Sequence, residues 1–403
     1  MALTLTTADS ALKEDYQPAM REQLNNTVFL LTQIERNSKD VEGRRAVLSL
    51  HVTRNSGVGA RGAGGTLPTA GNQGYAEERV PLRYNYGRIE IDGPTLRAMK
   101  SDKGSFVRAL DSETKGAVAD LRRDVNRQLF GTSNGTIAVT AVNTGVNLIS
   151  LAGATDVQMR QFEIGMVVDI SSAATPGDAS KASARTITAV SVSGDTITLS
   201  GAAITTASGD RVERSGAGGS GASQKELTGL QTIVAASGTL FNVDPTAAPS
   251  WASYVDATGG SPSENLFAKA MHKGNISGGT DINLWVTTDG VHRGFAANLT
   301  SLKRFANTVE VKGGYKGLEI TAGGGSPVAL VWDRDCPAQQ AFGLATDHLT
   351  QHEMSDWEWM DEDGAVLARI SGKDAYEAVL FKYHELTTDK RNAHVLLSGL
   401  TES

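Results

Sequence analysis

The chain has 403 residues, 40% of them hydrophobic and 6% aromatic, with a formal net charge of -7 from 38 basic and 45 acidic side chains. At roughly 100–200 residues per domain that length allows two to four domains, and the acidic balance argues against a protein that grips nucleic acid through its phosphates. One cysteine, Cys336, excludes an intrachain disulfide framework.

The start, MALTLTTADSALKED, lacks the basic residues and apolar run of a secretory signal. No window approaches the roughly 20 apolar residues of a membrane helix. A soluble, intracellular product without a membrane partner is expected.

Leu12, Tyr16, Met20, Leu24 and Val28 recur every fourth residue, and Phe29, Leu31 and Ile34 extend the stripe. The spacing predicts one or two amphipathic helices, capped at Asp9 or Ser10, broken at Pro18 and ending near Asn37. Such a segment packs on its own domain or crosses to a partner as an arm.

Residues 47–53 and 80–91 read as strands. Between them lies RNSGVGARGAGGTLPTAGNQG, residues 54–74, with seven glycines and only Val58 and Leu67 as large aliphatic side chains. Ordering each backbone residue costs roughly 1–2 kcal/mol, and this ribbon has little of its own to bury in return. Structureless segments of such length are usually functional or disordered. Contacts outside the monomer are therefore expected to order it. Gly57 to Gly62 also fits GxGxxG after a strand. The dinucleotide fingerprint needs a helix next, and AGGTLPTAGNQG cannot supply one, so no nucleotide cofactor is expected.

A long helix follows, with Asp102 or Ser105 as its cap and Gly131 as its stop. Phe106, Leu110, Val118, Leu121, Val125 and Leu129 mark one face. The opposite face is dense in charge, including Asp120, Arg122, Arg123, Asp124 and Arg127. That flank reads as solvated or as facing other subunits. The helix would span roughly 35–40 Å.

From Gly135 to about Gly221 the composition turns to Thr, Ser, Val, Ala and Ile with sparse charge. TIAVTAV, NLISL, GMVVDI, RTITAVSV, DTITLS and DRVERS read as short strands, with a hairpin turn at Ser193-Gly194-Asp195. This predicts a small, self-contained β-barrel or sandwich inserted after the helix. SGAGGSGAS, residues 215–223, reads as a flexible linker.

Mixed α/β sequence comes next. Residues 251–255, 263–273 and 290–306 read as helices, residues 282–287 as a strand, and residues 309–331 as hairpins. HEMSDWEWM and AVLARI are expected to flank a hairpin turn at Asp363-Gly364. Residues 375–384 and 394–400 read as closing strands.

Catalytic patterns are weak. His348 and His352, beside Glu353, have ligand-like spacing only on a helix, and no third ligand stands out. They are the sole support for a metal-dependent enzyme with a β-rich accessory domain. The acids between Asp347 and Asp363 read as an outward-facing hairpin. Cys336 reads as a small half-buried residue with no activating base nearby. No catalytic, cofactor-binding or metal-binding residue is assigned, and no enzyme activity is expected.

The order of parts is the informative signal: N-terminal arm, strand, long Gly-rich loop, strand RYNYGRIEI, then a long charged helix closed by a glycine. With DWEWMDEDGAVLARISGKDAYEAVLFKYHEL near the end, it resembles the major capsid proteins of tailed bacteriophages, the Johnson fold. The resemblance implies an α+β chain with an N-terminal arm (1–50), an extended loop (51–91), a peripheral domain with a spine helix (92–133 and 340–385) and an axial domain (229–339 and 386–403). An inserted β-rich domain and linker (134–228) would be added to it.

It further implies a subunit that self-assembles into hexamers and pentamers of an icosahedral shell. Such a shell is built in the host cytoplasm, becomes part of the virion, and encloses double-stranded DNA without reading its sequence. The implied partners are copies of itself, a portal protein, a separate scaffolding protein and, where present, a decoration protein. The expected inter-subunit contacts of the loop are Arg54, Arg61, Leu67, Tyr75, Arg79 and Arg83, with Arg88, Glu77, Glu78 and Glu90 beside them. Phe106, Leu110, Leu121, Val125 and Leu129 would seat the spine helix. Some relatives cross-link through a lysine in the loop. No lysine occurs between Lys39 and Lys100, so a non-covalent shell is expected. An encapsulin-like compartment around protein cargo is the alternative with the same fold.

Overall fold

The structure, a computed structural model, describes residues 28–403 apart from 40, 44, 101–102, 220–222, 302–307, 312–314, 321–326 and 362–365. The predicted helical stripe at Leu12, Tyr16, Met20 and Leu24 and the cap at Asp102 lie outside the described residues.

The chain begins with one helical turn, α1 (Leu30–Gln33), and then β1 (Glu35–Asn37), β2 (Val41–Glu42), β3 (Arg45–Thr53), β4 (Gly74–Pro81) and β5 (Arg83–Asp92). The helix predicted to run to Asn37 ends at Gln33, because Glu35–Asn37 pair in parallel with residues 350–352. Two helices follow, α2 (Gly93–Lys100) and the spine α3 (Lys103–Leu129). At 27 residues α3 is about 40 Å long.

The next segment holds β6 (Thr136–Val139), β7 (Asn143–Val146), β8 (Leu148–Ser150), α4 (Asp156–Met159), β9 (Val167–Ser171), β10 (Ala182–Ser191), β11 (Thr196–Leu199), β12 (Ile204–Thr206) and β13 (Arg211–Arg214). Six of these strands form a sheet in the order β6-β13-β9-β10-β11-β8. The two ends of that order rejoin where Ala141 N–H donates to Ser150 O at 2.9 Å and Ala152 N–H to Val139 O at 2.8 Å. The unit is therefore a closed barrel, which leaves no free sheet edge. Alternating side chains fill it, with Ile149, Val168, Ile170, Ile187, Ile197 and Val212 all fully buried. The turn at Asp195 takes a positive φ of 48°, as the Ser-Gly-Asp hairpin requires.

The run after β13 is no free linker in its described part. Gly216 N–H donates to Asp169 Oδ2 at 2.8 Å, and Lys225 Nζ reaches back to Gly216 O at 2.7 Å. A Cβ on Gly177 would sit 2.4 Å from Gly218 O, so the two backbones touch only because both are glycine.

The remainder comprises α5 (Leu230–Ile233), β14 (Tyr254–Asp256), α6 (Glu264–Gly278), β15 (Leu284–Thr287), α7 (Asp289–Ser301), β16 (Thr308–Val311), β17 (Tyr315–Ile320), β18 (Val328–Trp332), β19 (Gln340–Leu344), β20 (Leu349–Glu353), β21 (Glu358–Trp359), β22 (Ala368–Arg369), β23 (Ala375–Thr388) and β24 (Val395–Ser398). The helix predicted over 251–255 is replaced by a 3-10 turn, Pro249–Trp251, and by β14. Pairing of Tyr254–Asp256 with β24 overrides the local preference. Helix α6 starts at a Ser263 side-chain cap and stops at Gly279 with φ 61°.

A seven-stranded sheet in the order β14-β24-β19-β15-β18-β17-β16 forms one body, the one to which the resemblance would give the axial position. Since β19 pairs with β15 and β24, the chain leaves this sheet only after Leu344, later than the expected 339. One apolar layer lies under α6 and α7, where Phe267 meets Trp285 edge-on at 4.8 Å between ring centroids. The main core includes Leu30 of α1, Leu50 of β3, Val125 and Leu129 of the spine, Val286 and Phe342 of the sheet, and Leu386 of β23. Arm root, spine and axial body thus share one interior.

The second body is a six-stranded sheet built on β23, the longest strand at 14 residues. On one edge β5 runs antiparallel to it, from Asp92 opposite Ala375 to Arg83 opposite His384. On the other edge β20, β21 and β22 follow one another, with Glu353 opposite His384, Trp359 opposite Leu380 and Arg369 opposite Tyr376. β21 and β22 both run antiparallel to β23, so the segments predicted to flank a hairpin do not pair with each other. The predicted turn at Asp363-Gly364 itself lies outside the described residues. The return turn lies at 371–374, where Ile370 N–H donates to Ala375 O at 3.0 Å and Gly372 takes a φ of 77°. The spine lies across β5. A Cβ on Gly87 would come within 2.4 Å of Leu121 Cδ1, so glycine sets the closeness of this approach.

Candidate functional site

Two places carry the chemistry of this chain. One is the β3–β4 hairpin and its tip; the other is a buried polar junction at the end of the spine.

β3 and β4 pair from Arg45 opposite Pro81 to Thr53 opposite Gly74. The tip, residues 54–73, forms neither helix nor strand. Its hydrogen bonds are local: Gly57 N–H to Asn55 Oδ1 at 2.6 Å, Asn55 N–H to Gln73 Oε1 at 3.1 Å, and Arg61 Nε to Thr66 O at 3.0 Å. Val58 is 83% exposed, Leu67 81% and Tyr75 72%. Arg54 and Arg61 are exposed as well. Arg79 pairs with Glu77 on the outer face at 3.0 Å, and that hydrogen bond, with the charge behind it, lowers the Glu77 carboxyl below its ordinary range.

Two expected arm-surface residues are placed differently. Arg83 is an interior residue whose side chain is bonded to Glu385 at 3.1 Å and to Gln224 O. Its fork is engaged within the chain. Glu78 is fully buried, and neither of its carboxylate oxygens has a partner among the described residues. Burial, then the nearby Asp389 carboxylate, pushes it up to about 8.

The junction forms where α3 ends. Arg127 holds Glu226 through both terminal nitrogens and Asp124 through Nε at 3.1 Å. Arg214 of the barrel reaches the same Asp124 at 3.0 Å. Burial alone would raise Asp124, yet Arg127 and Arg214 hold it down at about 2. Gln128 donates to Asp124 and to Asn85 Oδ1, and its own oxygen accepts Leu227 N–H at 3.1 Å. Asn85 continues to His384, which burial and then the Lys382 charge push down to about 3 and so keep neutral. Asn126 bridges Asp333 and Asp335 at 3.1 and 2.8 Å. Glu385 accepts Thr228 N–H at 2.7 Å as well as Arg83. Arg123 ties the spine to Glu163 in the barrel. Every body of the molecule is bonded to the last turns of one helix.

The charged flank of the spine is therefore no solvated face at its C-terminal end, where Asn126, Arg127 and Gln128 are buried. Of the expected seat residues, Val125 and Leu129 lie in the main core and Leu121 is half-buried against Gly87. Phe106 and Leu110 fall within α3, with side chains outside the described residues. Between α3, the free edge of β5 and the barrel runs a groove of about 1280 Å³.

The remaining motifs are structural. His348 sits in a 3-10 turn and bonds Asp389 at 2.8 Å, while His352 is buried in β20, so no helix face joins them. Glu353 is buried against Lys382 at 2.5 Å rather than turned outward. Cys336 is fully buried. Among the described residues no group of three or more His, Cys, Asp or Glu side chains is placed to hold a metal.

No protein-family model matches the chain, and no curated protein matches it by sequence. Solved structures do match. The capsid subunit of cyanophage A-1(L) aligns over 99% of this chain and 100% of its own at a TM-score of 0.58 and 13% identity. An encapsulin from Synechococcus elongatus PCC 7942 aligns over 100% and 97% at 0.49 and 10%. The capsid subunit of the myovirus XM1 aligns over 96% and 97% at 0.48 and 10%.

The first of these likenesses defines a class: the chain has a capsid-subunit fold. More narrowly, it is the phage capsid fold of tailed-bacteriophage major capsid proteins, the Johnson fold, with a barrel inserted after the spine helix.

Proposed function

We propose that this chain is a major capsid protein that assembles without covalent cross-links into hexamers and pentamers of an icosahedral shell around double-stranded DNA. The observation that carries the reading is the arm. Its tip exposes Val58, Leu67 and Tyr75 on a ribbon whose hydrogen bonds are all local. Exposed apolar side chains on a projecting hairpin are surface waiting for a partner. Closed assemblies gain strength by repeating such modest contacts under symmetry.

The junction supports the same reading from inside. Subunits that share strain in a shell need a fixed angle between spine and axial body, and a satisfied buried polar network specifies one arrangement. The net charge of -7 suits a container wall from which packed DNA must later leave. Scaffolding, portal and decoration proteins are partners in this proposal. The barrel is its outward module, bonded firmly to the spine. Negative-stain microscopy of the expressed chain, alone and with a scaffolding protein, tests the proposal. Closed particles are expected, with no ladder of covalent oligomers on a denaturing gel. Monomers under all conditions would refute it.

A further inference from the structure

Glu78 breaks a rule that the rest of the hairpin obeys. β4 alternates cleanly, with Ala76, Glu78 and Val80 inward and Glu77 and Arg79 outward. Across the ladder Glu78 lies opposite Leu48, between the pairs Leu50–Ala76 and Ala46–Val80. The arm root thus surrounds its carboxyl with aliphatic side chains. From the body, the Asp389 carboxylate just past β23 acts on it, and Asp389 in turn holds His348 of the turn Thr346–His348. Among the described residues no cation pairs with Glu78 and both its oxygens lack partners. A buried carboxylate with no donor is unfavourable, whereas the protonated acid is far less so.

We propose that Glu78 is a proton-operated latch at the root of the arm: the hairpin rests on the body while Glu78 is protonated and lifts from it when that proton leaves to solvent. β3 and β4 take their sheet pairing mainly from each other. What seats them on the body is the packing of Leu50, Val52 and Ala76 on the main core and a few bonds, among them Arg79 N–H to Phe241 O and Ser250 Oγ to Val52 O.

Burial raises the seated carboxyl to about 8, against an ordinary value of 4.5 once exposed. Seating is then strongest below pH 4.5. It weakens about tenfold per pH unit above that, and the whole contribution is gone once pH passes about 8. The latch acts within one subunit, so it stands or falls independently of the assembly reading.

Hydrogen exchange on the isolated full-length chain tests it, with each rate divided by the intrinsic exchange rate at the same pH. Between about pH 5 and pH 8 the opening equilibrium of β3 and β4 amides should rise roughly 400-fold, because the slope flattens near each of the two pKa values. Amides of β15 and β19 in the axial sheet should hold steady. Glu78→Gln should remove the slope, and Glu78→Leu should do the same if the amide variant does not fold. The latch is overturned if β3 and β4 follow the axial sheet across this range, or if the slope survives in either folded variant.

Discussion

The inserted barrel and the arm tip are both excursions from the body, and they solve opposite problems. The barrel closes its sheet, buries Ile149, Val168, Ile170, Ile187, Ile197 and Val212 completely, and leaves no edge. The tip, residues 54–73, has no strand, no core and local hydrogen bonds alone. One segment offsets its ordering entropy internally. The other leaves that cost to be met elsewhere. In the proposed assembly, neighbouring copies meet that cost for the ribbon, while the barrel needs none of them.

Removal of residues 55–73, with a short turn joining Arg54 to Gly74, should break the comparison most sharply. Particle formation should vanish, while the melting transition of the subunit stays near that of the parent by circular dichroism. A coincident loss of folding would show that the tip serves the monomer. Excision of the barrel as its own fragment should give a cooperative melt, and excision of the arm should not.

The junction separates the two regions energetically. Arg127→Ala strands Glu226 in the interior and leaves Asp124 to Arg214 and Gln128, and removing one partner of a buried pair costs about 3–5 kcal/mol. Denaturant midpoints would read this directly. Gly87→Ala drives a methyl into Leu121, and overpacking of this kind costs about 1–3 kcal/mol. Leu121→Ala in the same chain should recover part of that loss, because it removes the clashing atom. The smallest effect on stability belongs to Val58→Ser with Leu67→Ser. The midpoint should stay within about 0.5 kcal/mol of the parent, while the concentration needed for particles, followed by light scattering, should rise.

Much of the fold was legible because local chemistry and long-range pairing agree. The barrel strands alternate and are separated by turn residues, and the spine repeats Leu121, Val125 and Leu129 on one face. Local signals misled where distant partners decide. Asp363-Gly364 has better turn chemistry than Ser371-Gly372, yet the ladder along β23 places the return at the latter. Trp251 to Val255 reads as helix, yet pairing with β24 draws Tyr254–Asp256 into a strand. The junction was invisible to periodicity because its members come from seven separate stretches of chain. Its one sequence trace is the run Asn126-Arg127-Gln128, polar side chains set between Val125 and Leu129 where the spine is buried all round. Arg83 and Glu78 differ from Arg79 and Glu77 only in facing inward. Strand alternation carries that distinction once the register is known.

The most direct measurement is hydrogen exchange of residues 54–74 in the isolated subunit and in assembled particles. The tip should exchange at nearly the unprotected rate in the subunit and slow by at least about tenfold in the particle, while barrel amides remain alike in both. Equal exchange of the tip in the two states would contradict the claim that neighbouring copies give it its shape.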